Sequence, residues 1–231
     1  MARTLSSSWP TLLRGLEFVA YPAAAGAACA VLSLGVVTWL PALAALAHAL
    51  QRWRVDGDSR CFVHTFTAFP RYWRALWRHG LVSTAAAGVL AANIVHLLGR
   101  SEPWTFAVLA AQVGVAAAAV IHHVALAAEA GRAPDGSVGA WTRNALALGF
   151  GSAGRGTALL GAVVSAMLLS LVVPLGPLLL GPSIPVLLAL SFGDSPSPAG
   201  RRGHTPQPAR MRPAYERGGH PHPDPYRLHP E

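Results

Sequence analysis

An all-α, polytopic membrane helix bundle of about five transmembrane helices is the fold class this sequence predicts, and three observations predict it. Only 12% of its 231 residues are charged and 52% are hydrophobic, whereas an ordinary soluble domain is about 25% charged. Residues 18–51, 79–99, 103–128 and 156–193 contain no Asp, Glu, Lys or Arg. The 18 basic residues are all Arg, and they cluster between these runs and after the last of them. The apolar content excludes a wholly disordered chain. Two cysteines exclude a disulfide scaffold or a four-ligand zinc site.

A transmembrane helix needs about 20 apolar residues to cross ~30 Å of hydrocarbon. After an N-terminal segment 1–15, the first charge-free run is too long for one span and tight for two. It is read as a span at 18–40 followed by a helical extension over 41–50 that leaves the membrane. The alternative is a tight hairpin, which would move the N-terminus to the other side and leave the rest in place. The apolar stretch runs well past Ala23–Ala28, which favours a retained anchor over a cleaved signal peptide. Cys29 lacks the flanking pattern of a lipidation site. The next two runs each hold one span, at 80–98 and 104–127. The last run would be a rod of roughly 57 Å if helical throughout, so it is expected to turn at Pro174–Pro177 and give spans at 157–173 and 178–192.

Arg placement then sets sidedness. Six Arg lie between the first two spans, three between spans three and four, and six after residue 192, whereas Arg100 alone lies between spans two and three. Under the positive-inside rule these Arg-rich segments face the cytoplasm, including the C-terminus. The pI near 10.9 is therefore a topology signal before it is a nucleic-acid signal, and no specific nucleic acid is expected as a partner. The tail, 193–231, carries nine prolines with abundant Gly, Arg and His. It is expected to be disordered, and its Arg residues are suited to nonspecific contact with anionic lipid.

Between Arg60 and His79 the aromatics Phe62, Phe66, Phe69, Trp73 and Trp77 recur at steps of four and three, which places them on one face of a helix. Arg71, Arg74 and Arg78 fall on a neighbouring face, and Pro70 is expected to start a second helix. An aromatic face flanked by Arg suits a membrane interface. It reads either as a surface for membrane lipids or a partner, or as an elbow that anchors span two. Trp141–Leu146 echoes Trp73–Leu76 ahead of a later span, as a duplicated unit would.

Candidate chemistry is sparse. Gly149-Phe-Gly151-Ser-Ala-Gly154 matches the dinucleotide pattern, but that pattern works only between a strand and a helix; here it reads as a flexible membrane-entry loop. His48, His122 and His123, with Glu129 nearby, are a conceivable metal group, and interfacial histidines without that role are commoner. No charge lies inside the spans, which disfavours a proton-coupled transporter. The sequence shows no nucleophile–base pair or paired carboxylates, so no catalytic, cofactor or metal residue is assigned. Gly26/Ala30, Gly114/Ala118 and Gly161/Ser165 fit close helix packing, inside the bundle or against a partner.

The segment Thr38-Trp-Leu-Pro41-Ala42-Leu-Ala-Ala45, with Arg52–Gly57, Phe62, Phe66, Phe69 and Tyr72–Trp73, resembles the YesL-like integral membrane proteins of unknown function (the DUF624 family). The resemblance runs loosely through Trp141–Leu146 and the Pro-Leu-Gly-Pro segment, over about residues 12–192. It departs at Trp39-Leu40, where an Ile-Gly pair is usual, and at Trp73-Arg74, where Asn-Phe is common. It implies a first span ending in a Thr38/Pro41/Ala42/Ala45 turn, and a bacterial plasma-membrane setting beside carbohydrate ABC-type uptake. It supplies no catalytic residues. The expected function is a non-enzymatic accessory or regulatory partner of a sugar permease. The alternatives are a small transport component with its own pathway and an intramembrane metal enzyme built on the three histidines.

Overall fold

The computed structural model describes residues 9–172 and 176–193, with side-chain surroundings from Gly15 onward. The expected tail beyond Gly193 and the first half of the expected turn at 174–177 lie outside the described residues. Within them the chain is all-helical: α1 (Trp9–Leu32), α2 (Trp39–Asp56), α3 (Cys61–Leu98), α4 (Pro103–Arg132), α5 (Val138–Phe150), α6 (Ala153–Val172), α7 (Gly176–Leu179) and α8 (Ser183–Gly193). Three of these, α1, α3 and α4, are long and apolar enough to cross a membrane, or four if the bent pair α5–α6 counts as one span.

The first charge-free run departs from the expected 18–40 span. Its helix stops at Leu32 and a new one starts at Trp39. Ser33 Oγ donates to the carbonyl of Cys29 (2.7 Å), and Thr38 Oγ1 donates to that of Gly35 (2.7 Å). These local bonds give the backbone an alternative to continuing the helix. The two helices then run antiparallel, because Phe18 and Tyr21 near the start of α1 meet Trp53 near the end of α2, with ring centroids 5.4 and 6.0 Å apart. The motif Thr38-x-x-Pro41-Ala42-x-x-Ala45 therefore opens a helix and does not end a span. Thr38 is the N-cap position, and its carbonyl accepts from the Ala42 N–H (2.9 Å). Pro41 sits in the first turn, where its missing N–H costs little.

Helix α2 is the centre of the fold. From Leu40 to Leu50 every residue but His48 is buried, five of them alanines, and α1, α3, α4 and α8 all pack on it. Small side chains let four neighbours approach one helix closely. A Cβ on Gly131 of α4 would lie 2.7 Å from the Ala47 carbonyl carbon, and one on Gly80 of α3 would lie 2.5 Å from the Val37 carbonyl oxygen. At its far end α2 closes on Gly57, whose φ is +69°. That is the left-handed conformation, which glycine adopts without penalty.

Helix α3 has 38 residues. At the α-helical rise it is a rod of about 57 Å. It runs through Pro70 without a break, so the second helix expected to start there is absent and the aromatic segment is continuous with the apolar one. Its inner face is Cys61, Thr65, Tyr72, Leu76 and Gly80. The Tyr72 hydroxyl donates to the Ala130 carbonyl of α4 (3.1 Å). Thr84 stands beside the α1–α2 turn, donating to the Val36 carbonyl (3.2 Å) and accepting from Trp39 Nε1 (3.0 Å). Beyond Thr84, α3 and the first half of α4 continue as a two-helix hairpin with Val89, Val95, Trp104, Phe106 and Val113 exposed.

The C-terminal part wraps back onto α2. Between α5 and α6 the chain bends by 94°, and the bend is built from the glycine pattern. A Cβ on Gly149 would press on Ile121 Cγ2 at 2.9 Å, and one on Gly156 would meet the Gly149 carbonyl oxygen at 2.8 Å. These glycines form a packed elbow where a flexible loop was expected. Helix α8 is held at both ends. Ser183 Oγ donates to the Pro22 carbonyl of α1 (2.7 Å), and the Arg132 guanidinium, paired with Glu129, donates to the carbonyls of Ala189 and Leu190. A guanidinium suits the negative end of a helix. Helix α8 has 11 residues. Its length of about 16 Å is less than the span expected at 178–192.

The glycines separate two classes of site. A Cβ at Gly131 meets the Ala47 backbone, whereas one at Gly114 meets nothing within 4 Å. Gly131→Leu is expected to destabilise the fold by at least about 1–3 kcal/mol through overpacking. Gly114→Ala is expected to be neutral or to stabilise by up to about 1 kcal/mol. Thermal unfolding in detergent checks both, and equal losses would contradict the packing.

Candidate functional site

Two surfaces of α3 carry the side chains most able to meet another molecule. The first is the predicted aromatic ladder. Because the core takes Cys61, Thr65, Tyr72 and Leu76 from this helix, the Phe62–Trp77 stripe is turned mostly off the core, with Phe69 packed against its edge. Phe62 and Trp77 are exposed, Phe66, Phe69 and Trp73 half-buried. The rings pair along the helix, Phe62 with Phe66 at 5.1 Å and Phe69 with Trp73 at 6.1 Å. The Arg78 guanidinium lies 5.4 Å from the Trp77 ring centroid. This is a cation–π contact. Arg71, Arg74 and Arg78 are all exposed. Arg71 is tied to the α4–α5 loop through the Pro134 carbonyl (2.5 Å) and the Asp135 carboxylate (2.6 Å).

The start of the ladder is fixed by Asp58 in the short α2–α3 connection. Its carboxylate accepts from the Arg60 backbone N–H (3.1 Å), from Arg52 Nη2 (3.3 Å) and from the His64 ring (2.6 Å). The Arg60 N–H, followed by the His64 side chain, holds the Asp58 carboxyl below the usual carboxylate range. Sequence spacing did not point to this residue, since the partners converge only when the loop folds.

The second surface is a slot of about 760 Å³ between the outer halves of α3 and α4, floored by Trp39 and Leu43 of α2. Its walls are aliphatic, including Val82, Leu90, Ile94, Val115 and Val120, with Ser83, Asn93 and His123 as the polar positions. At its base His123 Nδ1 is 2.6 Å from the Ala119 carbonyl. That nitrogen must carry the proton, because a carbonyl only accepts. In the neutral ring Nε2 then accepts from Ser83 Oγ (2.8 Å). This is a hydroxyl–imidazole pair that the sequence reading missed, joining residues 40 apart in sequence. Hydrolytic chemistry would also need an oxyanion donor, and the neighbouring Trp39 N–H is donated to Thr84. The pair ties α3 to α4.

The other expected groupings separate. His123 packs edge-on against Trp39 (5.0 Å) and His122 (5.6 Å), whereas His48 faces Tyr72 (6.1 Å). Among the described residues no three His, Cys, Asp or Glu side chains are grouped to hold a metal. Of the small-residue pairs, Gly26 is used inside the bundle, where a Cβ would strike the Leu179 carbonyl, while Gly114 and Gly161 face open space. In comparisons with known proteins the chain matches no family model, no curated protein and no solved structure.

The Asp58 carboxyl is depressed in the folded chain. It therefore contributes stability that is present above its unfolded value and lost as pH falls through its folded one. Amide protection at Cys61–Thr65, corrected for the pH dependence of intrinsic exchange, is expected to fall on acidification below the usual carboxylate range. Asp58→Asn should raise exchange at neutral pH and flatten that dependence; an unchanged profile would contradict the assignment.

Proposed function

We propose that this chain is a non-enzymatic, multi-pass plasma-membrane protein that acts as an accessory or regulatory partner of a larger membrane complex, with the Phe62–Trp77 ladder as its docking surface. One observation carries the reading. The ladder sits on the outward face of a helix whose inward face is separately filled by Thr65, Tyr72 and Leu76. The aromatic area exposed at Phe62 and Trp77 is therefore available for binding without disturbing the core. Half-buried aromatics beside exposed Arg are the composition of protein interfaces and of membrane boundaries alike.

In this reading the Arg-rich end of α3 and the α4–α5 loop face the cytoplasm. The antiparallel α1–α2 hairpin brings the N-terminus to that same side. In this reading the α3–α4 pair crosses the membrane beyond Gly80, and the α1–α2 hairpin, whose turn meets α3 at Gly80 and Thr84, stays at the cytoplasmic boundary. Helix α8 falls well short of ~30 Å and ends beside Arg132 on that same side. The similarity to the YesL-like proteins points to a carbohydrate ABC-type permease as the complex served.

Gentle detergent extraction after in-cell crosslinking tests this directly. A permease or comparable membrane complex is expected to copurify, and Phe62→Ala/Trp77→Ala is expected to reduce its recovery about tenfold or more, as losing two aromatic contacts of at least ~1 kcal/mol each implies. Recovery of the chain alone would contradict the reading. Flux of a sugar through proteoliposomes containing only this protein would replace it with a transport pathway of its own.

A further inference from the structure

The slot between α3 and α4 is distinct from the aromatic ladder, and its occupant can be argued independently of the docking reading. Leu97 and Thr105 are buried beyond its outer end, and the Ser83–His123 hydrogen bond lies at its base. It runs beside α3 from Val82 to Ile94. That stretch of helix is about 18 Å long. A methylene chain is only about 4 Å wide, set by the carbon–carbon contact distance, so a slot of about 760 Å³ admits hydrocarbon chains lying along it.

Its chemistry agrees with its shape. The lining contains no charged residue, and its Ser83 and His123 are satisfied by each other and by Ala119. A hydrocarbon chain lying there therefore leaves that pair bonded. At the outer tip Arg100 and Glu102 are opposite in sign; the net basic end is the inner one. Arg78 and His79 are both exposed. They lie one helical turn below Val82 and Ser83 on the same side of α3, and Arg74 follows one turn further. Arg78 stacks on Trp77, an aromatic–cationic pair of the kind found at headgroup level. Basic side chains at that level favour anionic headgroups.

We propose that this slot is a lipid-binding site, holding the acyl chains of an anionic phospholipid whose headgroup lies at Arg78 and His79. The full chain, reconstituted in vesicles of equal parts phosphatidylglycerol and phosphatidylcholine and then released into mild detergent, is expected to carry phospholipid in native mass spectrometry, enriched in phosphatidylglycerol. Filling the slot with Ala87→Phe/Ala116→Phe should abolish the adduct while helix content by circular dichroism is kept. Arg78→Gln should retain an adduct but lower the phosphatidylglycerol preference roughly fivefold, as expected for one basic group at the membrane surface. If the filled variant fails to fold, brominated phosphatidylglycerol in the same vesicles reads the site through Trp39, which lines the slot. The quenching difference between the native chain and Trp39→Phe should be larger than with brominated phosphatidylcholine. Adducts that persist in a folded, filled variant, equal quenching by the two lipids, or disulfide-linked dimers of Ala119→Cys in place of adducts would each overturn the proposal.

Discussion

Everything in this fold depends on how thin α2 is. A helix with alanine at half of its buried positions brings its neighbours' backbones close. Here α1, α3, α4 and α8 pack on it at once. Two close approaches, at Gly131 beside Ala47 and at Gly80 beside Val37 just ahead of α2, are made by residues with no side chain at all. In a bilayer, where apolar surface gains little by leaving lipid, such close packing supplies much of the attraction between helices. The larger residues of the core, Tyr72, Trp141 and Leu126 among them, fill the spaces left around this slim axis.

Part of this was legible in the sequence, and the division has physical reasons. Charge-free runs identify apolar helices well, because a charge in hydrocarbon is costly over a whole segment. Helices α3 and α4 cover the runs at 80–98 and 104–127 for that reason. The hairpin of α1 and α2 was legible only as the alternative to a single span and its break was not placed, since Ser33, Gly35 and Thr38 are weak punctuation inside an apolar run and the break is fixed by bonds to carbonyls a few residues away. Pro70 misled in the opposite sense. Proline disfavours a helix interior, yet packing along Thr65, Tyr72 and Leu76 on one helix carries α3 through it. The glycine pattern at 149–154 was noticed for chemistry and serves geometry.

The site shows the same division. The aromatic ladder was found by its period, and the period alone did not say whether it faced inward or outward. In the structure Cys61, Thr65, Tyr72 and Leu76 take the inner face, so the one aromatic of this segment that is fully buried, Tyr72, lies outside the periodic ladder. Asp58, the Ser83–His123 pair and the slot had no local signal. They depend on residues far apart in sequence meeting across helices, and single-sequence periodicity carries no information on that. The three histidines share no centre, because His48 lies on α2 toward Tyr72 while His122 and His123 lie on α4 nearer the α1–α2 turn.

Helix α3 links these parts mechanically. It is one uninterrupted helix whose inner half bears the ladder and whose outer half walls the slot, and its close approach at Gly80 falls near its midpoint. A rod anchored along one half and exposed along the other is a cantilever, so the outer half takes its direction from the packing of the inner one.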